Sequence, residues 1–165
     1  MPTYTDDNGP RAVPLVHGGN VYVFGAYGDL RAIRLKDGKK LWKRAAFDEF
    51  HSKRPFRGEP AEGYFGFGTS PIVEDDKLIL NVGGDRGEAG IVAFDLQTGK
   101  TIWTATDARA SYSSPTAATI DGKRHLVFAT RFSVISLDPS IVAMGRRSPV
   151  GATSTVVATV TKAPE

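Results

Sequence analysis

Ala93-Phe94-Asp95-Leu96-Gln97-Thr98-Gly99-Lys100-Thr101-Ile102-Trp103 is the stretch that decides the fold. A short β-prone run ends at an aspartate, and the turn Gln97-Thr98-Gly99-Lys100 places glycine where a hairpin requires a positive φ. A tryptophan follows that glycine by four residues. The same order stands upstream, where Leu30-Arg31-Ala32-Ile33-Arg34-Leu35 leads into the turn Lys36-Asp37-Gly38-Lys39 and then to Leu41-Trp42, again four residues past the glycine. A large ring at a fixed place in successive sheets is what face-to-face sheet packing needs, so Trp42 and Trp103 are read as structural blade-packing residues and not as cofactor ligands.

Working outward from these two turns, a unit recurs. The first copy runs from Pro14 to Trp42, with a turn at His17-Gly18-Gly19-Asn20 and a strand at Val21-Tyr22-Val23-Phe24-Gly25. The second runs from Ser70 to Trp103, with a turn at Glu74-Asp75-Asp76-Lys77 and a glycine-rich loop from Gly83 to Gly90. The third begins Ser114-Pro115-Thr116-Ala117-Ala118, turns at Asp121-Gly122-Lys123, continues through His125–Ala129 and Val134–Asp138, and stops. Each copy holds about four short runs separated by Asp, Asn, Gly or Lys turns, which predicts consecutive antiparallel hairpins, one propeller blade per copy. The expectation is therefore an all-β chain, an incomplete β-propeller of about three four-stranded antiparallel blades at about 9–42, 63–103 and 110–139, with a loop insertion at 43–68 and an atypical tail at 140–165. Propellers close with about 4–8 blades, so three form an open arc whose end faces favour self-association.

Composition narrows the function classes. The chain has 165 residues, 21 basic against 18 acidic, 18 glycines and no cysteine. That removes thiolate metal sites, disulfides and cysteine nucleophiles. The surplus is only three positive charges, and lysines and arginines alternate with aspartates and glutamates instead of clustering, so nucleic-acid binding is not expected. The opening Met1-Pro2-Thr3-Tyr4-Thr5-Asp6-Asp7-Asn8-Gly9-Pro10 has no apolar core of a signal peptide, and no run approaches the ~18 apolar residues of a transmembrane segment. Together with the repeats, this leads us to expect a piece of a longer exported protein.

Ser70-Pro71-Ile72-Val73, the stretch Ala93–Trp103 and Tyr112-Ser113-Ser114-Pro115 resemble successive repeats of the PQQ-binding-like (pyrrolo-quinoline quinone repeat) β-propeller family, and Gly9-Pro10-Arg11-Ala12-Val13-Pro14 resembles the opening of one more. The wording is most similar to exported bacterial members and to the BamB-like outer-membrane assembly group. That resemblance implies a periplasmic or otherwise exported, non-catalytic scaffold or binding module with no cofactor. Its alternative is a fragment of a PQQ-dependent quinoprotein dehydrogenase, which implies PQQ with calcium; such enzymes commonly use an adjacent cysteine pair, which this chain lacks.

No residue is expected to be catalytic or to bind a metal. Asp75 and Asp76 fall in a hairpin turn, and Asp95 and Asp138 at the ends of third strands, where they suit structural hydrogen bonding. His17, His51 and His125 belong to no spaced ligand motif. Gly83–Gly90 precedes a strand and lacks the Lys-Ser/Thr ending of a phosphate loop, so it is read as a flexible hairpin loop. No G-x-S-x-G elbow occurs.

Binding remains. The insertion contains Lys53-Arg54-Pro55-Phe56-Arg57 and Gly63-Tyr64-Phe65-Gly66-Phe67-Gly68. Aromatic and arginine side chains on loops of a rigid scaffold are favoured interface anchors, so Phe56, Arg57, Tyr64, Phe65, Phe67 and Tyr112 are the expected contact set for a protein or cell-envelope partner. The competing expectation is that these aromatics pack the insertion onto the propeller. Beyond Pro139 the expected Gly-Lys turn and tryptophan strand are missing and the last 26 residues carry no aromatic. That tail is read as non-propeller sequence, consistent with a shifted reading frame.

Overall fold

A computed structural model describes residues 11–52 and 67–139. Three antiparallel sheets follow one another along the chain. Blade 1 contains β1 (Leu15–His17), β2 (Asn20–Phe24), β3 (Asp29–Arg34) and β4 (Lys40–Ala45); blade 2 contains β5 (Ile72–Glu74), β6 (Lys77–Asn81), β7 (Ile91–Asp95) and β8 (Thr101–Ala105). Blade 3 shows β9 (Thr116–Ile120), β10 (Lys123–Ala129) and β11 (Val134–Leu137), three strands among the described residues. A single helical turn, α1 (Ala46–Glu49), follows β4. The expected propeller architecture is present, and the calls on the tail from Ser140 lie outside the described residues.

The predicted turns set the register. His17 pairs with Asn20 and Glu74 with Lys77, leaving Gly18-Gly19 and Asp75-Asp76 as two-residue hairpin turns. Gly38 and Gly99 adopt φ of +70° and +68°, as the hairpins between third and fourth strands require. Asp95 Oδ1 accepts from the amides of Gln97 and Thr98 and from the Thr98 hydroxyl, so the aspartate ending β7 ties the turn that follows it. Both blades also slip register at the same place, after Ala32 and after Ala93.

Packing then joins the blades. Tyr22, Phe24, Leu30, Ala32 and Trp42 of blade 1 share one core cluster with Leu78, Leu80, Val82, Val92, Phe94 and Leu96 of blade 2. The opposite face of blade 2 (Ile79, Ile91, Ala93, Trp103) packs with Leu126, Phe128 and Leu137 of blade 3. Blade 2 is therefore apolar on both faces, and its unbroken Leu78-Ile79-Leu80 run follows from that, whereas β2 buries only alternate residues. Where the strands begin, serine hydroxyls link the blades in series: the Val13 amide donates to Ser70 Oγ at 2.8 Å, and the Ser70 amide to Ser114 Oγ at 3.1 Å.

One expectation needs correcting. Half of the Gly83–Gly90 loop is not free: Gly83, Gly84, Ala89 and Gly90 are buried, Gly84 bridges Ser52, and Asp85–Glu88 face solvent. The segment after α1 lies against it, with the Phe50 ring edge-on to Phe94 at 5.9 Å.

Candidate functional site

Two of the six residues of the expected contact set are described, and they differ. Phe67 is buried, its ring 5.0 Å from that of Phe24 and 6.1 Å from that of Phe47, so it packs the end of the insertion onto blade 1. Tyr112 is 44% exposed. Phe56, Arg57, Tyr64 and Phe65 lie outside the described residues. The two described members are nevertheless neighbours through Gly68, where a Cβ would stand 2.7 Å from Cδ1 of Tyr112. The aromatic end of the insertion is thus brought against the Tyr112 loop.

That loop is held firmly. Asn81, the one polar residue in the apolar run of β6, is buried; its Nδ2 donates to Gly90 O at 2.8 Å and to Ala108 O at 3.4 Å, and its Oδ1 accepts from the Ser111 amide at 3.3 Å. The Ser111 hydroxyl donates to the Ala129 carbonyl and accepts from the Ser113 amide. Tyr112 is therefore presented by a loop fixed to blades 2 and 3, which lowers the ordering cost of any contact it makes. Sequence reasoning passed over Asn81, although a lone amide inside Leu78-Ile79-Leu80-Asn81-Val82 is the signal that marks it.

A second set of polar residues, also missed, braces blades 1 and 2. Arg44 donates to Glu49, to the Gly99 carbonyl and to Thr101 Oγ1, and its guanidinium stands 5.3 Å from the centroid of Phe94. Glu49 also accepts the Ala45 amide at 3.0 Å. The Arg44 hydrogen bond, helped by the Ala45 amide and opposed by partial burial, holds the Glu49 carboxyl below the usual range. No sequence motif announces this pair, because the arginine reaches across 55 residues to the Gly99 turn.

Several other acidic residues also bond within the fold. Lys77 pairs with Asp75 at 3.1 Å, Arg124 with Glu74 at 2.8 Å, and Lys43 with Asp29 at 2.7 Å. Asp95 is held below the usual range by its Thr98 side-chain and backbone hydrogen bonds. His125 Nδ1 lies 2.9 Å from Ser136 Oγ on neighbouring strands. Among the described residues no three His, Cys, Asp or Glu stand together to hold a metal ion, and no helix is long and apolar enough to cross a membrane.

Residues 6–147 match the model of the outer membrane protein assembly factor BamB family. Among solved structures, the chain is similar to BamB from Moraxella catarrhalis, with 18% identity and a TM-score of 0.52 over 78% of this chain and 37% of that one. It is equally similar in fold to the quinohemoprotein alcohol dehydrogenase of Comamonas testosteroni, with 17% identity and a TM-score of 0.52 over 78% of this chain and 25% of that one. No curated protein is significantly similar in sequence. The chain thus spans about a third or less of the structures it matches, and at these identities they share its fold.

Proposed function

Because the chain belongs to the family of the outer membrane protein assembly factor BamB, we propose that it is a non-catalytic β-propeller scaffold, part of a longer exported bacterial protein, that binds a protein partner of the cell envelope. Tyr112 carries this reading: an exposed aromatic on a loop fixed by Asn81 and Ser111 is a preorganised interface anchor. Phe56, Arg57, Tyr64 and Phe65 complete the proposed contact set, and Phe67 packs against Phe24.

The alternative, a fragment of a PQQ-dependent dehydrogenase, has the same fold in its favour. A calcium-held quinone requires convergent oxygen donors. The described carboxylates instead hold turns and ion pairs, with Asp95 at the end of β7 bonded to the turn that follows, Glu49 on Arg44 and Glu74 on Arg124. The described residues thus offer the alternative no convergent donor set in its support.

The test is a photo-crosslinking amino acid at position 112 of the full chain, exposed to bacterial envelope extract beside a control at Ile120, which is equally exposed but sits on β9. The proposal expects a discrete crosslinked species from position 112 alone. Equal labelling from both positions, or none, rejects it.

A further inference from the structure

The tripeptide Asp-Gly-Lys occurs twice, as Asp37-Gly38-Lys39 between β3 and β4 and as Asp121-Gly122-Lys123 between β9 and β10. An aspartyl-glycine bond is chemically vulnerable, because the unhindered glycine nitrogen can attack the side-chain carboxyl of the aspartate before it. The residue types that govern this reaction are the same in both copies. The folded chain does not treat them alike.

At the first site every reacting group is engaged. The Gly38 amide donates to Arg34 O at 2.9 Å. Asp37 Oδ1 accepts from the Lys39 amide at 3.1 Å and Oδ2 from Arg34 Nη1 at 3.1 Å, so both carboxyl oxygens are tied down. The second site has none of these restraints. Ile120 pairs with Lys123, which leaves Asp121-Gly122 as a bare two-residue hairpin turn. Both residues are exposed, and among the described residues neither the Gly122 amide nor the Asp121 carboxyl makes a hydrogen bond or ion pair. Asp121 also stands at a φ of +49°, a left-handed conformation that side-chain-bearing residues rarely adopt. Nothing lies within 4 Å of the position of a Gly122 Cβ, so the turn has open space in which to rearrange.

We propose that Asp121 is a site of spontaneous isoaspartate formation, and that Asp37 in the same tripeptide is protected from it. The Gly122 nitrogen forms a bond to Cγ of Asp121, and the carboxyl hydroxyl leaves as water with the amide proton. Water then opens the resulting five-membered imide by cleaving the bond between the Gly122 nitrogen and the main-chain carbonyl carbon of Asp121. The chain now continues through Cγ, and the α-carboxylate is set free. One water leaves and one returns, and nothing is oxidised or reduced. The new link adds a methylene to the main chain of a two-residue turn. That turn closes the hairpin whose β10 supplies Leu126 and Phe128 to the packing of blade 3 on blade 2, so the change falls on an element that holds the blades together. The site is separate from the Tyr112 loop and stands whether or not that loop binds a partner.

The experiment is to age the full chain at neutral pH and body temperature, folded and in parallel in concentrated urea, and to read isoaspartate in chymotryptic peptides by electron-transfer mass spectrometry. Peptide resolution scores Asn8-Gly9, which lies outside the described residues, separately. The proposal expects isoaspartate to accumulate several-fold faster at Asp121 than at Asp37 in the folded chain, with the two rates converging in urea. Equal rates in the folded chain, or a faster rate at Asp37, overturn it. So does an absence of isoaspartate at both folded sites while both form it in urea. A difference that persists unchanged in urea also overturns it, because the flanking sequence and not the fold then sets the rates.

Discussion

Trp42 and Gly99 stand in direct contact across the boundary between blades 1 and 2, the ring lying where any Cβ on residue 99 would go. One pair thus joins two sequence requirements, a glycine for the turn and a glycine for the neighbour's indole. Gly38 meets only the first requirement.

Gly99→Ala and Gly38→Ala separate the two. Both force a side chain into the left-handed region at a cost of ~1–2 kcal/mol, whereas Gly99→Ala alone displaces the indole, adding ~1–3 kcal/mol of overpacking. Urea unfolding followed by tryptophan fluorescence checks this, and equal midpoints for the two variants count against the packing described.

Trp103 is 8% exposed, and its Nε1 has no hydrogen-bond partner among the described residues, unlike Trp42 Nε1 on Leu96 O. Trp103→Ala is expected to cost ~3–5 kcal/mol. Trp103→Phe removes a buried, unsatisfied donor, while Trp42→Phe leaves Leu96 O with only the long 3.4 Å bond from the Tyr22 hydroxyl, so Trp103→Phe is milder by ~1 kcal/mol. Matched denaturation curves of the two phenylalanine variants decide it.

Much of this was legible before any coordinates. The Gly-to-Trp spacing, repeated Ser-Pro pairs and Asx-type turns fix the blades because hairpin turns and strand periodicity are local properties. Arg44 was not legible, since its partners come together only once blade 2 docks. The same applies to Phe67: an aromatic beside glycines reads equally as surface anchor or as packing until the ring of Phe24 is placed against it.

Asn81→Ala is expected to release the loop that carries Tyr112. The substitution leaves the half-buried Ser111 amide without its acceptor and removes one of two donors to Gly90 O, a cost of ~1 kcal/mol. Hydrogen exchange at Ser111 should accelerate beyond what the global destabilisation accounts for. Uniform acceleration across all blades places the role of Asn81 elsewhere.

Glu49 gives a pH dependence with a defined sign. Its folded pKa is depressed, chiefly by the Arg44 hydrogen bond. The unfolded chain therefore binds this proton first, so the stabilisation is complete above the ordinary glutamate value of about 4.3 and is lost as pH falls through the lower folded value. Glu49→Gln should be less stable than the parent at pH 6, and the gap should narrow towards pH 3. A gap that widens on acidification contradicts the sign.

The central claim, a scaffold of blades and not a quinone enzyme, is tested most directly by isothermal titration calorimetry of the full chain with PQQ in the presence of calcium. The account predicts no saturable heat above dilution. A saturable, calcium-dependent isotherm at one PQQ per chain contradicts it.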